Sequence, residues 1–516
     1  MDNVWEQLIA IDARCVHARC ELAVLAALTA LRARDQQVSA ERVAEQATQA
    51  LAALQECLGL VSAPLSARWA ALGEEYVRRV TALLHLDCAL LLDFCGAAAP
   101  QGSSRASAAC AHYQSAASLD GSDRRMWQLW ASSVARDESI GNDAARRQAA
   151  AAVHRLAVER GMWVRVDQRP IQLVPALARG AVPWLDPATH PSCAALVAHF
   201  EEIRHEAMSL LRGDRQVFEA SREAASAHGL AMLSGGALAA TGAQGAETAQ
   251  WRDLSLLVNG RLNEAHAQLA PRTAALLCGN EGGLRRECAS CVYGSAFFSL
   301  LGSRTRLRPH CGPTNVRLRA HLALSVPAGD CAMRVGNGPA RPWVEGEVLL
   351  FDDSFEHEVW NDTEAARLVL IIDLWHPLLE TDQERITTLD PVRAARYQRI
   401  VEEGVFESAV TPDQPSRPAS KPGLVHQLGG LHEQLVGAAG AHRLLDCLSV
   451  TAACDAEAPV AIAERMQMEQ ILRGFLSPPI ATAVIVPASD FSGGPGTPMA
   501  IATPVSTAVH VVTDLK

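Results

Sequence analysis

The chain has almost no lysine. Of its 46 basic residues only Lys421 and Lys516 are lysines, and the other 44 are arginines. With 57 acidic residues and a formal net charge of −11, it has no basic blocks, which argues against general nucleic-acid binding. Aromatic residues make up only 5%. Long apolar runs are missing too. The most apolar stretch, 81–95, contains His85, Asp87 and Asp93, too short and polar to span a bilayer. The opening MDNVWEQLIAIDARC lacks the basic and apolar regions of a signal peptide. A soluble, cytoplasmic protein without signal peptide or membrane anchor is therefore expected. Cysteine is sparse, 14 in 516 residues, and scattered, which excludes a disulfide scaffold. Cys288 and Cys291 form one CxxC with no second pair at zinc spacing, leaving a local disulfide or chance. Against these absences stands a hydrophobic content of 49%, enough for a large core and roughly two to four domains.

Composition divides the chain. Residues 1–160 read as α-helical, rich in Ala, Leu, Arg, Glu and Gln, with apolar residues at three- and four-residue spacing. Breaks near 35–39, 60–65 and 96–105 predict about three helices of roughly 20 residues, and 141–160 a further one. No repeat of ~34 residues is evident, although a helical hairpin array fits. At 161 tryptophans and prolines appear, followed by a helix at 191–212 and a Gly/Ala-rich loop at 229–248. From 291 to 375 short β-type runs alternate with turns, the pattern of an antiparallel sandwich or barrel. Residues 381–424 hold a helix and a Pro/Ser-rich linker, 425–484 a helical extension, and 485–516 a Gly/Pro/Thr-rich tail expected to be disordered. The fold class expected is α+β.

Three neighbouring blocks carry the chemistry: RPHCGPTNVRLRAHL (308–322), FDDSFEHEVWND (351–362) and ARLVLIIDLWHP (366–377). His310 and His357 lie 47 residues apart, each beside a β-type run, and imidazole is a good ligand for Fe(II), Zn or Cu(II). Arg367 lies on an apolar strand, where a guanidinium is costly unless it meets an anion such as a carboxylate. Ser299 can offer a hydroxyl to the same anion. Arg317, Arg319 and His321 alternate with Leu318, Ala320 and Leu322, so the three polar side chains share one strand face and form an anion-binding wall. The acids Asp352, Asp353, Glu356 and Glu358 flank His357, and one of them could orient a ligand imidazole.

These blocks, together with GMWVRVDQRP (161–170), VPWLD (182–186) and WRDLSLLVNGRLNE (251–264), resemble the aspartyl/asparaginyl β-hydroxylases, a branch of the Fe(II)- and 2-oxoglutarate-dependent dioxygenases. The resemblance covers 161–380. It implies a double-stranded β-helix, or jelly roll, using Fe(II), 2-oxoglutarate and O2 and releasing succinate and CO2. Carried over by motif, His310 and His357 match the metal ligands. Arg367, helped by Ser299, matches the grip on the 2-oxoglutarate carboxylate, and His321 a cosubstrate-pocket histidine. Arg319 matches a residue at the cosubstrate–substrate boundary, and Arg317 one that recognises an acidic or amide side chain. Gly312 stands where most 2-oxoglutarate oxygenases place a third, carboxylate ligand, and this branch is similar in having glycine there.

The resemblance implies hydroxylation of the Asp or Asn β-carbon in a peptide, protein or amino acid. Related branches leave an acyl chain or small metabolite as the alternative, and a non-catalytic binding module as a third reading. The helical region would then present a peptide. Charge is also segregated. Five arginines and no acids lie in 299–319, while eight acids and no Lys or Arg lie in 345–364. The arginine run is expected to face anionic substrates.

Overall fold

The computed structural model describes residues 2–11, 15–36, 38–62, 73–213, 217–220, 251–409 and 459–476, with His432, 438–439 and 441–443. The expected loop at 229–248, the linker to 424, most of 425–458 and the tail from 485 lie outside these residues.

The described part of the first 160 residues is mostly helical, as composition demands. Helices run over Asp2–Ile11 (α1), Val16–Asp35 (α2), Ala40–Ser62 (α3), Glu74–Phe94 (α4), Arg105–Leu119 (α5), Arg124–Arg136 (α6) and Asp143–Glu159 (α7). The α5, α6 and α7 N-termini are capped by the side chains of Ser104, Asp123 and Asn142, which accept from backbone N–H groups two or three residues on. Chain neighbours pack on one another and share one apolar core, which includes Leu31, Leu54, Leu90 and Trp127. The helix Pro459–Leu476 packs against α1, burying Met468 and Leu472 beside Trp5 and Leu8. No described helix is long and apolar enough to cross a membrane.

The helix expected over 191–212 is two, Pro191–Ala198 and Phe200–Gly213, parted at His199. Beyond them, among the described residues, lie eight strands of four residues or more: Trp251–Val258 (β1), Ser295–Leu301 (β2), Thr305–His310 (β3), Arg317–Ser325 (β4), Cys331–Val335 (β5), Val348–Phe351 (β6), His357–Asn361 (β7) and Arg367–Trp375 (β8). They form two sheets. A nine-stranded sheet contains the order β6-β4-β8-β2-β1, with two-residue strands at its edges, and a four-stranded sheet runs β3-β7-β5 and then Arg341–Pro342. All pairings among these eight are antiparallel. The α+β class holds.

Period-two alternation divides the larger sheet's faces. Leu318, Ala320, Leu322, Leu368, Leu370, Ile372, Ala296 and Phe298 pack with Leu196 and Ile203 of the helices that cover one face. Phe297, Ala323, Val369 and Ile371 face the other way and meet Leu307, Met333, Val335 and Val359 of the smaller sheet. The functional residues belong to this inter-sheet space.

A strap without regular structure ties this core to the helical region. Trp163 is buried in the helical core, and Gln128 of α6 donates to the Arg169 carbonyl (2.6 Å). Gln168 donates to Asp352 (3.1 Å) and Ser354 (2.9 Å), Gln172 N to the Pro313 carbonyl (2.9 Å), and Val174 N to Asn315 Oδ1 (2.8 Å). The strap therefore holds the two loops that flank the candidate metal ligands, one after His310 and one before His357.

Candidate active site

His310 ends β3 and His357 begins β7, and the antiparallel register makes them Cα partners. Their ring centroids are 4.2 Å apart. His310 Nδ1 lies 2.7 Å from the Arg308 carbonyl, and His357 Nδ1 lies 2.9 Å from the Phe355 carbonyl. A carbonyl only accepts, so each Nδ1 carries a proton, and in the neutral ring it is Nε2 that presents the lone pair. Backbone carbonyls, rather than the flanking acids, orient the imidazoles. Asp352 accepts from Gln168 and Ser354, Glu356 pairs with Arg169, and Glu358 with Arg334. Burial, reinforced by His310, holds the His357 imidazole well below its ordinary pKa, which keeps it neutral.

Among the described residues no third His, Cys, Asp or Glu joins the pair in a metal-holding group. Gly312 lies beneath Asp353, with no room for a side chain of its own.

Across the same narrow cavity lies Arg367, 2% exposed. Its Nη2 donates to Ser299 Oγ (3.1 Å), its Nε has no hydrogen-bond partner, and no carboxylate among the described residues pairs with it. Burial pushes its pKa down to about 10. An unpaired guanidinium this deep is costly unless an anion joins it. Ser299 Oγ also accepts from Trp251 Nε1 (3.0 Å). Because both contacts use oxygen lone pairs, the Ser299 O–H is left to be donated. His321 lines the same cavity, buried, and neither ring nitrogen has a partner. Burial and the nearby Arg367 hold its pKa well below the ordinary imidazole value. Trp343 stacks on His321 (centroids 6.1 Å, planes 10° apart) and lies 4.6 Å from the Arg367 Cζ.

Arg317, Arg319 and His321 share the buried inter-sheet face, as alternation predicted. The anions met by the two arginines are internal. Arg317 donates to Asp373 (2.6 Å) and Asp353 (2.8 Å), and Arg319 to both oxygens of Asp373 (2.8 and 3.1 Å). Arg319 lines the cavity with Arg367 and the two histidines. The expectation for the arginine run needs correcting likewise. Arg304 pairs with Glu364 (3.1 Å) and Arg306 with Asp362 (2.9 Å), at the end of the β3–β7 pairing. Three arginines of the first run, Arg304, Arg306 and Arg317, thus meet acids of the second, Glu364, Asp362 and Asp353. Cys288 and Cys291 are both buried thiols.

Sequence reasoning missed Asp373, Trp251 and Trp343. Asp373 stands in the quoted block DLWHP, and its even spacing from Arg367 was the one available signal that it shares that residue's face. Trp251 heads the quoted block WRDLSLLVNGRLNE, but its bond to Ser299 needs the β1–β2 pairing, and nothing local marked Trp343.

Residues 197–377 match the family model described as aspartyl/asparaginyl beta-hydroxylase, a span that starts later than the expected 161. Over 139 residues the chain is 44% identical to the aspartyl/asparaginyl beta-hydroxylase of Mus musculus, covering 27% of this chain and 18% of that protein. It is 39% identical over 131 residues to aspartate beta-hydroxylase domain-containing protein 2 of Xenopus tropicalis, covering 25% and 34%. It is 46% identical over 98 residues to aspartate beta-hydroxylase domain-containing protein 1 of Mus musculus, covering 18% and 27%. The chain thus spans between 18% and 34% of the length of these relatives. The family resemblance read from the motifs holds over this region.

Proposed function

We propose that this chain is an Fe(II)- and 2-oxoglutarate-dependent dioxygenase that hydroxylates the β-carbon of an aspartate or asparagine in a peptide, protein or amino acid. The observation that carries the reading is Arg367: a buried guanidinium without a carboxylate, beside a donating Ser299 hydroxyl, in one cavity with the His310–His357 pair. The strand orders β6-β4-β8-β2 and β3-β7-β5 support a double-stranded β-helix, with the cavity between its two walls. The names of the relatives support the Asp/Asn target.

The residues present fit the implied groups. Two imidazoles with Nε2 lone pairs are a suitable donor set for Fe(II). The orphaned Arg367 Nε, the Ser299 O–H and the unpartnered His321 nitrogens suit one end of a dicarboxylate. In this reading His310 and His357 hold the metal, while Arg367, Ser299 and His321 hold 2-oxoglutarate. When bound, iron and 2-oxoglutarate supply the oxidant from O2 that cleaves the substrate C–H bond, with succinate and CO2 released. The chain's own residues do the rest. Arg367 and Ser299 neutralise and orient the cosubstrate, and Phe351 and Ile371 keep water from the cavity wall. Arg319 from that wall reads the acidic or amide group of the substrate, and Arg317 supports it by holding Asp373, the carboxylate that fixes the Arg319 guanidinium.

Mass spectrometry of Asp- and Asn-containing peptides and free amino acids, incubated with the chain, Fe(II) and 2-oxoglutarate, tests the target. One added oxygen on an Asp or Asn residue is expected. No such product, while an acyl chain or other metabolite gains the oxygen, moves the substrate to that class.

A further inference from the structure

We propose that Trp343 is the positioning residue of the cosubstrate end of this cavity, its indole fixing the planes of the Arg367 guanidinium and the His321 imidazole. The inference rests on the reading of Arg367 as the 2-oxoglutarate anchor.

Trp343 follows the two-residue strand Arg341–Pro342 at the edge of the smaller sheet and is 4% exposed. Arg367 and His321 come from the larger sheet, on β8 and β4. Trp343 is the ring from the smaller sheet that meets both of them. Hydrogen bonds do little to orient them. Arg367 has one side-chain bond, to Ser299, and an unpartnered Nε. His321 has none, so aromatic packing alone aims its ring: Trp343 stacks at 10°, and Phe351 meets it edge-on at 5.0 Å.

A long arginine side chain held by one hydrogen bond needs a wall to keep a single rotamer. The indole face offers that wall, and its negative quadrupole also attracts the cation, an attraction that strengthens where water is excluded. The Trp343 N–H is itself buried without a partner, so the ring's position is set by stacking and not by a bond of its own. The same ring contacts both ligand-facing groups, so a shift in the indole moves the guanidinium and the imidazole together.

The test is a series of site-specifically incorporated tryptophans at 343 bearing increasing numbers of ring fluorines. These preserve the shape of the indole while draining its quadrupole, so folding is not at issue. The 2-oxoglutarate Kd is measured at equilibrium with Fe(II) in the absence of O2, and KM and kcat during turnover. Kd and KM should climb steadily along the series, on the order of tenfold at its end, with kcat unchanged. Trp343→Phe should restore most of the affinity lost in Trp343→Leu. A native protein that binds 2-oxoglutarate and a fluorinated series that binds it equally well would overturn the role of Trp343 alone. A native protein that binds no 2-oxoglutarate would overturn this proposal together with the reading it rests on.

Discussion

The carboxylate of Asp353 fills the space that a side chain on Gly312 would need. A Cβ at 312 would lie 2.5 Å from both Cγ and Oδ2 of Asp353. The two residues are also joined through the backbone, Gly312 N donating to the Asp353 carbonyl at 2.6 Å. Position 312 follows His310 by two residues, where a third metal-binding carboxylate would otherwise stand. Here Asp353 closes that position and turns its charge to Arg317. Gly312→Ala should therefore cost roughly 1–3 kcal/mol, as overpacking does. Urea denaturation measures it. An alanine variant as stable as the parent would mean that Asp353 yields without cost.

Asp373 bonds two cations at once, and that makes it more expensive to neutralise than Asp353. Both Arg317 and Arg319 are about 95% buried, and Asp373 is fully so. Asp373→Asn should destabilise by roughly 3–5 kcal/mol, because it leaves buried charge uncompensated. Asp353→Asn should cost less, since Arg317 keeps Asp373 (2.6 Å) and the Tyr293 carbonyl (2.6 Å). Equilibrium unfolding of both variants gives the order, and the reverse order would contradict this account of the pairing.

Arg367→Ala should raise the 2-oxoglutarate KM roughly 100-fold or more, since it removes the one cation free of a carboxylate partner among the cavity-lining residues. Ser299→Ala should raise it less, by roughly tenfold, with the loss of a neutral hydrogen bond. Succinate release against 2-oxoglutarate concentration measures both.

Asp352 links stability to pH. Burial pushes its pKa up to about 7, opposed by Ser354 and raised further by the Asp353 charge. A carboxyl whose pKa is higher folded than unfolded contributes stability that is fully present below the unfolded value. That contribution is lost as pH rises through the folded value. The window is therefore roughly pH 4 to pH 7. Asp352→Asn keeps the acceptor for Ser354 and removes the charge. Thermal melts at pH 5 and pH 8 should show the variant gaining on the parent at the higher pH. A difference that stays constant or runs the other way would contradict the assignment.

Much of the site was legible because β4 and β8 are buried on both faces, and on β4 polar and apolar residues alternate. Arg317, Arg319, His321 and Arg367 were the polar residues among apolar ones, and the structure places them on the inter-sheet face. What stayed hidden depends on pairing across the chain. β3 carries Arg306, Arg308 and Pro309 and shows no apolar run, so its strand character comes from β7, which is itself only five residues long. The Asp373 and Asp353 partners of the two arginines lie 36 to 56 residues away. The strap at 163–174 has no periodicity and owes its place to hydrogen bonds from residues at both ends of the domain. The charge segregation was visible but its sense was not, because only the β3–β7 register brings Arg304 and Arg306 to Glu364 and Asp362.

The central claim is that His310 and His357 hold iron and Arg367 anchors 2-oxoglutarate in one cavity. Iron-dependent conversion of 2-oxoglutarate to succinate by the purified chain tests it most directly, measured for the native sequence beside His310→Ala, His357→Ala and Arg367→Ala. The account predicts succinate from the native chain, none from either histidine variant, and recovery of the Arg367 variant only at greatly raised 2-oxoglutarate. No succinate from the native chain, with no iron-dependent 2-oxoglutarate binding, would contradict it, as would histidine variants that turn over as fast as the native chain.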